Sequence, residues 1–268
     1  MNWREGFFNL ISGRKVDQLL FFPDITDWYN ARRTPPGQPH FGPGEFIPDS
    51  DPIHKENVDM PKEYQDFTLL DFYKNFDWGL PVHLYNWYDT EYEGVEKKIL
   101  QNEKKRIIQY ICPAGELERV YLLANDGSWA PCGYLVNELK ELDIIKYIVS
   151  HSRMVQRPDR FKSILDEING QGVIDIPIWR SPFGKLVHEY MGFEKTIYAL
   201  YDHKDVILRF MEFQEEYDLE VIEMASNYPA NIVIISDHAD ENLASPKFYK
   251  EYCIPFYQKA TKILHDKG

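Results

Sequence analysis

The sequence predicts an α/β chain in which apolar strands lead into capped helices, and three observations carry that expectation. Ile232, Val233, Ile234 and Ile235 form an unbroken β-branched run, the composition of a strand buried on both faces of a parallel sheet. Val173 to Ile178 is a second apolar strand candidate, and both are followed by the same start signal, Ser181-Pro182 and Ser245-Pro246. There the serine oxygen accepts an orphan helix N–H while the proline has none to satisfy. Between them, Asp205 to Ser226 repeats Ile207, Phe210, Tyr217, Val221 and Met224 near the helical period, a crossover of the length a βαβ unit needs.

The remaining elements follow in chain order. Asn2 to Gly13 is expected to form a short helix with Phe7, Leu10 and Ile11 facing inward, leading into a first strand at Leu19 to Phe22. Thr34 to Pro61, rich in Pro, Gly and Asp, predicts a long irregular loop, either a lid or a surface excursion. Tyr64 to Phe76 is expected to be helical and Leu80 to Tyr85 a second core strand. Arg106 to Leu123 alternates as a hairpin turning at Pro113 to Glu116, and Asp143 to Ser150 and Asp159 to Asn169 predict helices. In the closing helix Phe248, Tyr252, Phe256 and Ile263 share a stripe, and Pro255 predicts a kink because it lacks an N–H.

Composition bounds the function. With 268 residues, 44% of them hydrophobic, the chain can bury a core as one α/β barrel or two smaller domains. A formal charge of -13 disfavours a nucleic-acid partner, because phosphate binding needs basic patches, and Lys104 to Arg106 reads as a solvated turn. Cys112, Cys132 and Cys253 are widely spaced, which argues against a disulfide framework and for a reducing cytoplasm. Charges run through Met1 to Leu20, so no signal peptide is expected, and no apolar run is long enough for a membrane span.

The candidate site lies beyond the Ile232 to Ile235 strand, since ligands of parallel α/β sheets bind in the loops at the carboxyl ends of strands. Asp237, Asp240 and Glu241 offer hard oxygen ligands or a general acid or base, and His238 a metal ligand or proton shuttle. The alternative is that Asp237 and Glu241 bond the loop amides and cap the next helix. Arg180, just before a helix N-terminus, would grip a carboxylate or phosphate, or else pair with an acid. Asp24, ending the first strand candidate, holds a mouth position or forms a turn. His188 and Glu189 read as structural.

The opening W-R-E-G-F-F-N-L-I-S-G-R-K-V-D-Q-L, the segment Pro113 to Leu117, the R-S-P-F at Arg180 to Phe183 and the closing S-P-K-F-Y-K-E-Y-C-I-P-F-Y together resemble the uroporphyrinogen decarboxylase (URO-D) superfamily over nearly the whole chain. That resemblance implies a TIM-type (β/α)8 barrel formed as a single domain over 1–268, with an N-terminal helical segment, a β-hairpin insertion and a site at the carboxyl-end mouth. It implies one of two chemistries. One is cofactor-free decarboxylation of porphyrinogen acetates; the other is zinc-dependent methyl transfer involving corrinoid (cobalamin) carriers or thiols. The decarboxylases carry an R-Q-A-G-R segment after the first strand, because guanidinium forks grip a polycarboxylate. Here that place holds Asp24 to Asn30, with Arg32 and Arg33 behind it. The chain therefore looks closer to the methyltransferase-like branch, acting on a small methoxylated or methylated compound with a corrinoid protein as partner. That branch implies an aromatic-lined pocket for the methyl donor, which Trp28, Tyr29, Trp78 and Trp129 are expected to line unless they pack in the core.

In the family the helix corresponding to Phe248 to Asp266 leads into a strand bearing the first zinc ligands, so any such ligands are expected beyond the end of this chain. About four of the eight barrel strands are expected within it. Unpaired strand edges and uncovered apolar faces template association. A complementing chain, a homodimer, or a longer protein of which this is a fragment is therefore expected. The other readings kept open are a uroporphyrinogen decarboxylase and a non-catalytic truncated barrel that serves as a binding subunit.

Overall fold

The centre of the protein is a three-stranded parallel sheet, seen in a computed structural model that describes residues 2–33, 59–124, 129–237 and 244–267. The chain enters through helices α1 (Trp3–Ile11), α2 (Thr26–Arg33) and α3 (Leu69–Asn75) and reaches the sheet at strand β1 (Leu80–His83). A β-rich excursion follows: β2 (Tyr88–Tyr92), β3 (Glu96–Gln101), β4 (Lys105–Cys112), β5 (Gly115–Leu123) and β6 (Trp129–Cys132). After α4 (Leu142–Ser150), β7 (Ser152–Gln156) and α5 (Pro158–Ile168), the chain returns as β8 (Gly172–Trp179). The crossover is α6 (Pro182–Lys185), α7 (Phe193–Asp202) and α8 (Lys204–Ser226), leading to β9 (Val233–Ser236), α9 (Pro246–Phe248) and α10 (Ile254–Asp266).

β8 is the middle strand, parallel to β1 from Leu80↔Gly172 to His83↔Asp175 and to β9 from Ile176↔Val233 to Trp179↔Ser236. Its burial is nearly continuous, as the apolar run predicts. Ile174, Ile176 and Ile178 share one face and the same buried cluster as Ile164 and Ile168 of α5, Val221 and Ile222 of α8, and Phe256 of α10. By the same alternation Asp175 and Trp179 occupy the opposite face. Gly172 allows β1 to come close, since a Cβ there would stand 1.9 Å from the Leu80 carbonyl oxygen. Beside this sheet lie an antiparallel pair, β2 with β7, and an antiparallel meander, β3-β4-β5-β6.

Local chemistry explains most element ends. Thr68 and Asp71 form a capping box, so α3 starts at Leu69 and the expected Tyr64 to Phe76 helix is preceded by a separate 3-10 turn, Lys62–Tyr64. Asn169 closes α5 in the left-handed conformation at φ 42°. Ser181 and Ser245 each accept an N–H from the first turn of their helices, as expected. Both of these short helices run into a π turn, Leu186–Tyr190 and Tyr249–Cys253. The second ends two residues before Pro255, so the helical hydrogen-bond pattern is disturbed next to that proline.

Three expectations are corrected. Leu19 to Phe22 forms no strand: Leu19 is 88% exposed, the Phe21 carbonyl accepts one bond from Gly79, and Phe22 packs edge-on against Trp3 and Phe7. Helix α1 buries Trp3 and Gly6, while Leu10 and Ile11 face outward. Ile232 to Ile235 is not buried on both faces, because β9 pairs only with β8 among the described residues and stays half-buried along its length. The hairpin is as expected, with Cys112 opposite Gly115 across Pro113 and Ala114, but it belongs to a four-stranded sheet whose outer strands were not anticipated. Among the described residues no helix is long and apolar enough to cross a membrane.

Candidate functional site

A cavity of about 420 Å³ opens where the carboxyl end of β8 meets the two antiparallel sheets. Strand alternation builds most of its wall: Tyr88, Thr90 and Tyr92 from β2, Ser152 and Met154 from β7, Ile108 and Tyr110 from β4, Arg119 and Tyr121 from β5, with Lys97 from β3. Ile145, Ile148 and Val149 of α4 close one side, and Ile178 and Trp179 mark the end of β8. Lys185, Glu189 and Tyr190 from α6 and its π turn, and Tyr217, Asp218 and Val221 from α8, complete the lining.

The wall contains a buried ion pair. Lys185 Nζ lies 2.5 Å from Asp218 Oδ1, with the side chains 12% and 1% exposed. Gln214 Nε2 donates to the same oxygen at 2.9 Å, and Tyr190 OH donates to Gln214 Oε1 at 3.2 Å. Asp218 Oδ2 is buried and has no hydrogen-bond partner. Burial pushes the Asp218 carboxyl up to about 6, against the pull of Lys185. Burial also opposes the Lys185 charge, but Asp218 and Glu189 more than offset it, so the ammonium is held. Burial likewise raises the phenols of Tyr190 and Tyr217, and that of Tyr88 to about 12, so all three remain protonated hydroxyls at neutral pH.

A second polar cluster lies on the other face of the parallel sheet. His83 Nδ1 stands 2.7 Å from Asp175 Oδ2, its register partner, and Asp175 is 4% exposed. The hydrogen bond from Asp175 raises the His83 imidazole above its usual value, with burial opposing and Asp24 adding to the rise. Tyr85 stacks on Trp179 with ring centroids 5.7 Å apart, next to His83 at the strand ends. Sequence spacing did not reveal this pair, because parallel register brings together residues far apart in the chain.

The structure distributes the expected site residues differently. Asp237 ends β9 as anticipated, yet it joins elements: its Oδ2 accepts from Ser181 Oγ at 2.6 Å, from the Ser181 amide at 3.3 Å and from the Tyr257 hydroxyl. Its Oδ1 sits against Gly184, where a Cβ would come within 1.9 Å. Asp237 borders a shallow groove between β9 and α10 and is not among the residues lining the cavity. His238, Asp240 and Glu241 lie outside the described residues.

Arg180 is paired, with Nη1 3.3 Å from Glu189 Oε1 and 13% of the side chain exposed. Glu189 lines the cavity while holding Arg180, and the His188 carbonyl accepts a bond from Arg119. Asp24 caps α2 by accepting from the Thr26 amide and hydroxyl at 2.9 and 2.6 Å, so it serves as a turn aspartate and ends no strand. None of the four expected aromatics lines the cavity. Trp28 packs on Phe72 and Arg32, Tyr29 is core, Trp78 stacks on Phe76, and Trp129 lies under Arg106.

Lys185 and Asp218 were missed, although one signal was present. Gln214 and Asp218, four residues apart, sit on the α8 stripe between the buried Phe210 and Met211 and the buried Val221 and Ile222. Polar groups at the helical period on an apolar face call for a buried partner. Compared with family models, curated proteins and solved structures, the chain matches none of them.

Proposed function

We propose that this chain is a small-molecule enzyme of the URO-D superfamily type, on its methyltransferase-like side. In this reading the open parallel sheet is part of a (β/α)8 barrel, and the 420 Å³ cavity holds a methoxylated or methylated ligand. One observation carries the reading: a buried Lys185–Asp218 pair in the wall of an aromatic cavity at the carboxyl end of the central parallel strand. Ligands of parallel α/β sheets bind at that end of the strands. Burying such a pair rarely stabilises a fold, which favours its retention for function.

Demethylation of an ether breaks the bond between the methyl carbon and oxygen, leaves the electron pair on oxygen, and requires that oxygen to gain a proton. Lys185, kept charged by Asp218, supplies a hydrogen bond and then a proton to it, and Tyr190 and Gln214 fix the position of Asp218. A reduced corrinoid carried by a partner protein would supply the methyl acceptor. Among the described residues no group of three His, Cys, Asp or Glu side chains is placed to hold a metal ion, so no step is assigned to zinc.

The test is anaerobic incubation with a methoxylated aryl compound and cob(I)alamin, with and without zinc, following the corrinoid spectrum. Methylcobalamin formation that Lys185→Met abolishes supports the proposal. Conversion of uroporphyrinogen with loss of its acetate carboxyls moves the chain to the decarboxylase branch. Inactivity in both assays, with a stable complex formed with a partner, leaves the binding-subunit reading.

A further inference from the structure

We propose that the 420 Å³ cavity selects an aromatic carboxylic acid and rejects amines of similar shape. This rests on taking the cavity as the ligand site and adds the charge and shape of what enters it. The charge follows from counting partners. Both acids that line the cavity are already paired, Asp218 with Lys185 and Glu189 with Arg180. Two further cations line it without a carboxylate partner among the described residues. Arg119 gives one bond to the His188 carbonyl and lies over the Tyr121 ring, and its Nε is buried with no partner. Lys97 stands 5.7 Å from the centre of the Tyr110 ring. An anion entering here meets uncompensated positive charge, whereas an ammonium would add to it.

Shape comes from the rings. Tyr88, Tyr92, Tyr110, Tyr121, Tyr190 and Tyr217 all line the cavity, and aromatic rings favour offset or edge contact with a planar ligand. The volume lies in the range of drug-sized ligand sites. With two unpaired cations, the cavity matches a mono- or dicarboxylate better than a polycarboxylate, which needs several guanidinium forks. Arg119 and Lys97 project from the antiparallel meander, and Arg119 bonds the His188 carbonyl of the π turn that follows Lys185. The carboxylate anchors at Arg119, and the ether oxygen of a methoxylated ring turns to Lys185.

Titration calorimetry of the whole chain at pH 7 with 4-methoxybenzoate, benzoate, anisole and benzylamine tests this. Both acids are expected to bind, anisole at least 10-fold more weakly, and benzylamine not measurably. Arg119→Met is expected to weaken 4-methoxybenzoate at least 10-fold, with Arg119→Lys recovering part of the loss. Equal binding of anisole and the acids, preference for benzylamine, or no binding of any of the four overturns the proposal; the wild-type comparison needs no variant to fold. If the acids bind as expected but no methyl transfer is found, the ligand class stands and the proposed reaction falls.

Discussion

Replacing Lys185 by methionine strands the Asp218 carboxyl in the interior, where the side chain is 1% exposed and Oδ2 already lacks a partner. Removing one member of a buried pair typically costs about 3–5 kcal/mol, because an uncompensated charge remains. At about 2–4 °C per kcal/mol for a chain of this size, the melting temperature should fall by roughly 6–20 °C. The pH dependence has a definite sign. The Asp218 carboxyl, already raised to about 6 by burial, rises further without the ammonium. A carboxyl with a raised folded-state value binds more protons folded than unfolded, so stability falls as pH rises through that window. The variant should therefore lose less at pH 5 than at pH 8.

The companion test is Lys185→Met with Asp218→Leu, which replaces both charges by apolar groups of similar volume. It should regain most of the stability yet fail in methyl transfer. Urea denaturation followed by near-ultraviolet circular dichroism at pH 5, 7 and 8 measures all three proteins. A single variant within about 1 kcal/mol of wild type, or a double variant as unstable as the single, would refute the buried-pair reasoning.

Three further outcomes are expected. His83→Gln should remove a stability term that is fully present below about pH 6.5 and lost as pH rises through the raised folded value, which urea midpoints between pH 5.5 and 8 would show as a flatter profile. Asp237→Ala should cost about 2–4 kcal/mol, because Ser181 and Tyr257 lose their common acceptor, while leaving ligand affinity in calorimetry unchanged; an affinity loss with intact stability would restore Asp237 as a site residue. Gly172→Ala should cost about 3 kcal/mol or prevent folding, since its Cβ meets the Leu80 carbonyl, and a fully stable variant in thermal melts would contradict the close approach of β1 and β8.

Much of the parallel half of the fold was legible from local chemistry. Apolar runs, Ser-Pro caps and the period of α8 place β8, α8 and β9 within a residue or two, whereas α7 was not foreseen. Segments whose side chains serve two neighbours were not. Leu19 to Phe22 has strand composition, but its phenylalanines are drawn to the α1 aromatic cluster, and Tyr88 to Tyr92 and Ser152 to Gln156 become strands only by pairing with each other. The candidate site was legible where it depends on a strand end and hidden where it depends on register and packing. Asp237 is where the strand ends, but a serine and a tyrosine from two other elements claim its oxygens. Lys185, Asp218 and Arg119 come together only because the β2–β7 pair and the meander fold over the end of β8.

The most direct test of the central claim is a structure of the protein crystallised with 4-methoxybenzoate. Density for one ligand inside the cavity, with its carboxylate toward Arg119 and its ether toward Lys185, is the predicted result. A cavity that stays empty while the ligand binds at the Asp237 groove, or beside His83 on the opposite sheet face, would contradict it.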